Sequence, residues 1–162
     1  MNTYPTSKAK QIRQVDRRVA NQYRIQTAFS VYISRLAEFR EDLDITREIF
    51  AQGRIWPDQC NYIISTFEPI RRTASNLAES FRSKKQRTKS LGRIRYSILA
   101  NAYHFHDQLD KTISFIREFG ATTQQWPGKK SKIKEIQNAL CQLDSSFNDL
   151  MKGLDSIKEE TA

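Results

Sequence analysis

A chain of 162 residues is long enough for one hydrophobic core and short for two, so we expect a single domain over residues 1–162. The 27 Lys and Arg outnumber the 18 Asp and Glu, for a net charge of +9, while recurrent Leu, Ile and Phe argue against wholesale disorder. No apolar run reaches the roughly 20 residues that cross a bilayer, and the first residues carry no hydrophobic signal. We therefore expect a cytoplasmic protein without a membrane partner.

The first predicted helix spans about residues 8–52 and is longer than any other in the chain. Its apolar residues recur at spacings of three and four from Ile12 to Phe50, with polar Gln26 and Thr46 filling two gaps, which is the period of one helix face. Gly53 follows directly and is predicted to end the helix in the left-handed conformation that glycine adopts readily.

The second predicted helix covers about residues 57–82. Pro57 suits the first turn, where a missing N–H does no harm, and Asp58 suits the positive end of the helix dipole. Pro69 lies in the middle, where proline removes a hydrogen bond, so we expect a kink there, with two shorter helices as the alternative.

The third and fourth predicted helices cover about residues 90–119 and 131–158. We expect Thr88 or Ser90 to cap the third helix, Gly120 to end it, and Ser131 to cap the fourth. Short connections favour an all-α, antiparallel up-down-up-down four-helix bundle with an overlong first helix.

The positive charge is concentrated in two segments. Residues 71–95 hold nine Lys or Arg and a single acid, and residues 8–24 hold six against one. Antiparallel helices would bring these segments together as a basic pole at one end of the bundle. The expected contacts with nucleic acid are Arg71, Arg72, Arg82, Lys84, Lys85, Arg87, Lys89, Arg93 and Arg95, with Arg13, Arg17 and Arg18 adding to them.

Such a concentration of cations predicts binding to the phosphate backbone of RNA or DNA, without sequence-specific readout of bases. Tyr23, Tyr96 and Tyr103 could stack on bases, although tyrosines at helical spacing also pack along bundle flanks. The expected role is an accessory or assembly subunit of a nucleoprotein complex, together with other protein subunits. Two alternatives remain: a solvated basic loop, and a protein-interaction module that docks through its long first helix or its basic pole.

No pattern of catalytic residues is present, so we expect no enzymatic activity, no cofactor and no small-molecule substrate. His104 and His106 lie two residues apart and cannot face one metal ion from a regular helix. Cys60 and Cys141 are expected to be reduced and buried. A weaker anion site is predicted at the start of the fourth helix, formed by Lys129, Lys130, Ser131 and Lys132.

The run Ser75-Asn76-Leu77-Ala78-Glu79 after Arg71-Arg72, and then the run from Arg93 to Leu109, resemble a known family. That family is the four-helix-bundle proteins encoded in ribosomal RNA intervening sequences and used as retroelement accessory subunits. The resemblance implies a basic bundle that oligomerises and binds nucleic acid. It covers less than a quarter of the chain, and Ser80 stands where the family prefers glycine, so the chain is not assigned to the family.

Overall fold

Four helices make up the part of the chain that the computed structural model describes: α1 (Ser7–Gln52), α2 (Pro57–Arg82), α3 (Lys89–Ala121) and α4 (Lys130–Thr161). The structure describes the backbone of residues 7–82, 89–121 and 130–161, and the side chains within 30–82, 95–121 and 130–156. These residues contain no strand, and their helices pack together as a bundle, so the all-helical class is confirmed. All helix bounds lie within three residues of the predicted ones. With 46 residues against 26, 33 and 32, α1 is overlong as predicted.

The connection between α1 and α2 follows the local sequence. Gly53 has a φ of 73°, the left-handed conformation expected of a glycine directly after a helix. At the start of α2, the Trp56 carbonyl accepts bonds from the backbone N–H groups of Gln59 and Cys60, at 3.0 and 3.2 Å. The Gln59 side chain reaches back and accepts a bond from the Trp56 N–H at 2.9 Å, as in half of a capping box.

Helix α2 continues through Pro69 without interruption. The alternative of two shorter helices is therefore wrong, while the kink itself stays a prediction. The Thr73 hydroxyl donates to the Pro69 carbonyl at 3.0 Å, and the Thr66 hydroxyl donates to the Tyr62 carbonyl at 2.9 Å. Such bonds satisfy side-chain groups within the helix and commonly accompany bent helices.

Gly120 does not end α3, which continues to Ala121, so the prediction of a stop at this glycine is wrong. The glycine lies where α3 comes close to α2. A Cβ atom built on Gly120 would lie 3.1 Å from the Cβ atom of Cys60, closer than ordinary van der Waals contact. The missing side chain therefore serves packing between helices rather than helix termination.

Contacts divide the chain into two compact units, Met1–Ser34 and Arg35–Ala162. The prediction of a single domain stays a prediction. In the second unit the core centres on Phe39, whose side chain is fully buried. Its ring meets those of Phe67, Phe105 and Phe147 edge-on, with centroids 5.1, 5.9 and 5.6 Å away, an arrangement that aromatic rings favour. Because these three rings come from α2, α3 and α4, Phe39 ties the last part of α1 to every other helix.

Polar contacts also fasten the end of α1 to α4. Arg40 donates hydrogen bonds to Asp144 and to Asn148 of α4, and it lies 5.2 Å from the centroid of the Phe147 ring. Burial lowers the pKa of Arg40, but its bonds to Asp144 and Asp44 outweigh that effect and raise the pKa. The charge of Arg40 is therefore well matched although only about a third of its side chain is exposed.

The two cysteines differ. Cys60 is buried, as expected, but Cys141 is exposed, so the prediction that both are buried is wrong. Leu140 and Leu143 occupy the core face of α4, and Cys141 follows Leu140 directly. A step of one residue turns the side chain by about 100°, which carries Cys141 off the core face.

Candidate nucleic-acid interface

The basic stretch between α2 and α3 is only partly described. Lys84, Lys85 and Arg87 lie between the two helices, outside the described residues. Lys89 is the first residue of α3 and Arg93 lies in its second turn, although their side chains are outside the described part. The expected nucleic-acid contacts at these five positions therefore stay predictions.

Arg71 is held in a network of ion pairs between α2 and α3. Its guanidinium donates to Asp110 at 2.6 Å and to Glu68 at 2.8 Å, and 29% of its side chain is exposed. Arg117 donates to the other oxygen of Glu68 at 3.0 Å. The charge of Arg71 is thus already matched by two carboxylates, which makes this residue a link between helices before any ligand is considered.

Arg72, Arg82 and Arg95 differ from Arg71 in their surroundings. Arg72 and Arg82 are exposed, and Arg95 is half-buried. The ion pair of Arg82 with Glu79 is 3.7 Å long between side chains that are each about two-thirds exposed, so it holds the guanidinium weakly. The described end of α2 and start of α3 therefore present cations that could meet phosphates.

Two tyrosines follow the basic stretch on α3. Tyr96 is 71% exposed and Tyr103 is 40% exposed. The sequence left open whether these rings pack along the bundle flank, and the structure places most of the Tyr96 ring in solvent. Lys89, Arg93, Tyr96, Ala100 and Tyr103 succeed one another at spacings of four, three, four and three residues, the spacing of one helix face. That register was readable in the sequence, but the role of Ala100 in it was missed.

The predicted second half of the basic pole falls in the first unit. Arg13, Arg17 and Arg18 belong to α1, but their side chains lie outside the described residues, as does that of Tyr23. The pairing of residues 8–24 with the stretch before α3 stays a prediction.

The weaker anion site is partly described. Helix α4 begins at Lys130, one residue earlier than predicted, so Ser131 lies in its first turn and does not cap it. Lys132 forms an ion pair with Glu118 of α3 at 3.5 Å, and Lys130 and Ser131 are exposed. Lys129 lies outside the described residues. A cation already paired with a carboxylate attracts an anion less strongly, which weakens the case for this site.

Other classes of site leave little trace in the described residues. No three His, Cys, Asp or Glu side chains come close enough to hold a metal ion in the part that the structure describes. His104 is exposed, and the Nδ1 atom of His106 lies 3.4 Å from a carboxylate oxygen of Asp107. None of the described helices is both long and apolar enough to cross a bilayer.

A second exposed aromatic pair, which sequence analysis missed, lies at the start of α2. Trp56 is 69% exposed and Tyr62 is 68% exposed. Within three residues in sequence, Tyr96 has Arg93 and Arg95, whereas Trp56 has Arg54 alone and Tyr62 has no basic residue. The helical period places Tyr62 off the buried row of Cys60, Ile63 and Phe67, so its exposure had a readable signal. Trp56 precedes the first residue of α2, where the helical period gives no information.

Comparison with protein-family models, with curated proteins and with solved structures finds no match for this chain.

Proposed function

We propose that this chain is a non-enzymatic, basic helical-bundle subunit that binds the backbone of RNA or DNA as an accessory component of a nucleoprotein complex. The observation that carries the proposal is the exposure of the Tyr96 ring directly after the most basic stretch of the sequence. Cations supply affinity by displacing counterions from phosphates, and an exposed aromatic ring beside them offers a second kind of contact that a merely solvating loop does not need.

The structure refines which cations we assign to this role. The main set consists of Arg72, Arg82, Lys84, Lys85, Arg87, Lys89 and Arg93, and we add the half-buried Arg95 to it. We give Arg71 a smaller part, because Glu68 and Asp110 already neutralise it. Arg13, Arg17 and Arg18 belong to the first unit, and we keep them as further contacts with nucleic acid.

We also propose that neighbouring helices alternate in direction. The described contacts support this arrangement, since residue numbers rise along one helix while they fall along its neighbour. The supporting pairs are Cys60 beside Gly120 and Arg71 bonded to Asp110 for α2 and α3, and Ile98 beside Gly153 and Glu118 paired with Lys132 for α3 and α4. Spin labels at Ser97 of α3 and Ser156 of α4, with both native cysteines replaced, should give a short distance by pulsed electron paramagnetic resonance. A distance near the length of a helix would refute the alternation.

The binding experiment compares two variants that lose equal charge. Lys84, Lys85 and Arg87 are changed to Ser in one; Arg54, Lys111 and Lys134, all exposed, are changed to Ser in the other. Affinity for single- and double-stranded DNA and RNA is measured between roughly 50 and 200 mM salt, where each lost phosphate contact lowers the slope of log affinity against log salt by about 0.7–0.9. The first variant should lose about two units of slope and the second almost none. An equal loss of slope in both variants would show that net charge alone, and not the basic stretch, determines binding. Absence of binding by the native chain would refute the function.

A protein-interaction module is the second candidate, and the exposed Trp56 and Tyr62 favour it. Tryptophan and tyrosine are enriched at protein interfaces, where one face of the ring is buried by the partner. Such a contact depends mainly on apolar burial, so it should change little across the same range of salt. Trp56→Ala should then weaken partner capture, whereas nucleic-acid binding should be unaffected by this change.

A further inference from the structure

We infer that the nucleic acid bound at this site is single-stranded, and that the Tyr96–Tyr103 face of α3 stacks on its bases. This inference rests on the proposed function. It adds a substrate class, because the concentration of cations by itself suits the backbone of a duplex and of a single strand equally well.

Both tyrosine rings on this face of α3 are exposed. Tyr96 is 71% exposed and Tyr103 is 40% exposed, so each has ring surface that the bundle does not cover. In a duplex the bases are stacked on each other and their faces are closed to a protein side chain. Only an unpaired base can offer its face to a tyrosine on the surface of a helix.

The spacing of the two tyrosines along α3 matches the spacing of nucleotides in a strand. Ala100 stands between the two tyrosines, and its small side chain leaves room above the helix between the rings. Seven residues of α-helix rise by roughly 10.5 Å, while successive nucleotides of one strand are spaced by about 3.4 Å. The separation of Tyr96 and Tyr103 along the axis is thus about three nucleotide steps, which allows a short stacked run of bases to lie against the face.

The charge changes from basic to acidic along the same face. Lys89 and Arg93 precede Tyr96 in the register, and Asp107, which is 78% exposed, follows Tyr103 at a spacing of four. Cations at one end attract the backbone, and a solvated carboxylate at the other end repels it. The strand should therefore lie over the first part of α3 and leave the face before Asp107.

Tyr62 provides a matched control. It is 68% exposed, close to the value for Tyr96, but it lies on α2 two residues after Cys60. Cys60 lies against Gly120, near the end of α3 that is distant in sequence from Tyr96 and Tyr103. Tyr62→Ala therefore removes a comparable exposed ring away from the proposed face.

The experiment measures binding of a labelled, mixed-sequence single strand of about 20 nucleotides and of the matching duplex. This length exceeds the roughly 4–16 nucleotides that typical single-strand-binding domains cover. Both RNA and DNA are used, with the native chain and with Tyr96→Ala, Tyr96→Phe, Tyr103→Ala and Tyr62→Ala. Tyr96→Ala should weaken single-strand binding about 5- to 100-fold, with Tyr103→Ala acting in the same direction. Tyr96→Phe should bind like the native chain because phenylalanine keeps the stacking face, and Tyr62→Ala should do so because its ring lies elsewhere.

Salt dependence separates stacking from charge. Tyr96→Ala removes no cation, so its slope of log affinity against log salt should equal that of the native chain, whereas the Lys84, Lys85 and Arg87 to Ser variant should have a smaller slope. Circular dichroism melting of each variant would verify that the fold is intact.

The possible failures can be told apart. Tight binding to the duplex with no effect of Tyr96→Ala would overturn the single-strand inference and leave backbone binding in place. If Tyr96→Ala binds every nucleic acid like the native chain but no longer self-associates in sedimentation, this face is a protein interface. That result would also overturn the single-strand inference. No binding to any nucleic acid would refute the proposed function and this inference together.

Discussion

The ring of Phe39 offers a quantitative test of what holds the bundle together. Phe39 and Phe50 lie on the same helix, and both side chains are fully buried. Phe39 meets three aromatic rings edge-on, whereas Phe50 forms one such pair in the described residues, with Phe119 at 6.2 Å. Changing each phenylalanine to leucine removes similar volume and apolar area, so the comparison isolates the ring pairs.

An aromatic pair contributes about 0.5–1.5 kcal/mol beyond the burial of its area, so the two additional pairs of Phe39 predict a difference of about 1–3 kcal/mol. Phe39→Leu should therefore destabilise the fold more than Phe50→Leu by that amount. Changing Phe39 to alanine would also open a cavity and should cost about 3–5 kcal/mol.

Urea unfolding followed by far-ultraviolet circular dichroism measures the free energy of unfolding of each variant. With a slope of about 2 kcal/mol per M, the expected difference lowers the midpoint of Phe39→Leu by about 0.5–1.5 M relative to Phe50→Leu. Equal slopes for the two variants would verify that they unfold between comparable states. Equal midpoints, or a lower midpoint for Phe50→Leu, would refute the view that the ring cluster around Phe39 is the strongest part of the core.

Three further predictions concern single contacts. Arg40→Met should destabilise the fold by about 1–2 kcal/mol, and in a double-mutant cycle with Asp144→Asn the two losses should overlap by at least about 0.5 kcal/mol; strictly additive losses would contradict the ion pair. Burial first, and the charges of Glu41 and Glu38 second, raise the pKa of Asp42, so its ionised form destabilises the folded state. Asp42→Asn should therefore stabilise the protein at neutral pH, and urea unfolding at a series of pH values should show this gain disappear once the pH falls below the pKa in both states; a gain that persists in acid would contradict the cause. Gly120→Val should lower the free energy of unfolding by about 1–3 kcal/mol, and with it the melting temperature, because the valine side chain would meet Cys60. An unchanged melting temperature would show that α2 and α3 can separate at no cost.

The helices were predictable because their signals are local. Apolar spacing, the glycine at position 53 and the proline at position 57 each act on the backbone within a few residues, and the observed bounds follow them closely. One error occurred where a distant segment intervenes. Gly120 has the sequence of a helix stop, yet α3 continues through it and uses its small size against Cys60, which is 60 residues away in sequence.

The candidate site was predictable to a similar extent. The sequence identified the basic stretch and the tyrosines beside it, because charge and residue type need no tertiary information. It could not distinguish Arg71, whose partner Asp110 is 39 residues further along the chain, from the exposed Arg72 next to it. Pairing across helices depends on which faces meet, and the periodicity of one helix does not specify its neighbour.

The sequence by itself therefore determined the helical class, the length of each helix and where the positive charge is concentrated. Tertiary structure decided which cations are already neutralised by carboxylates and which rings remain in solvent, as for the exposed Tyr96, whose surroundings the sequence left open. The physical reason is range. Backbone conformation responds to neighbours within a few residues, whereas burial and ion pairing depend on side chains that folding brings together from other helices.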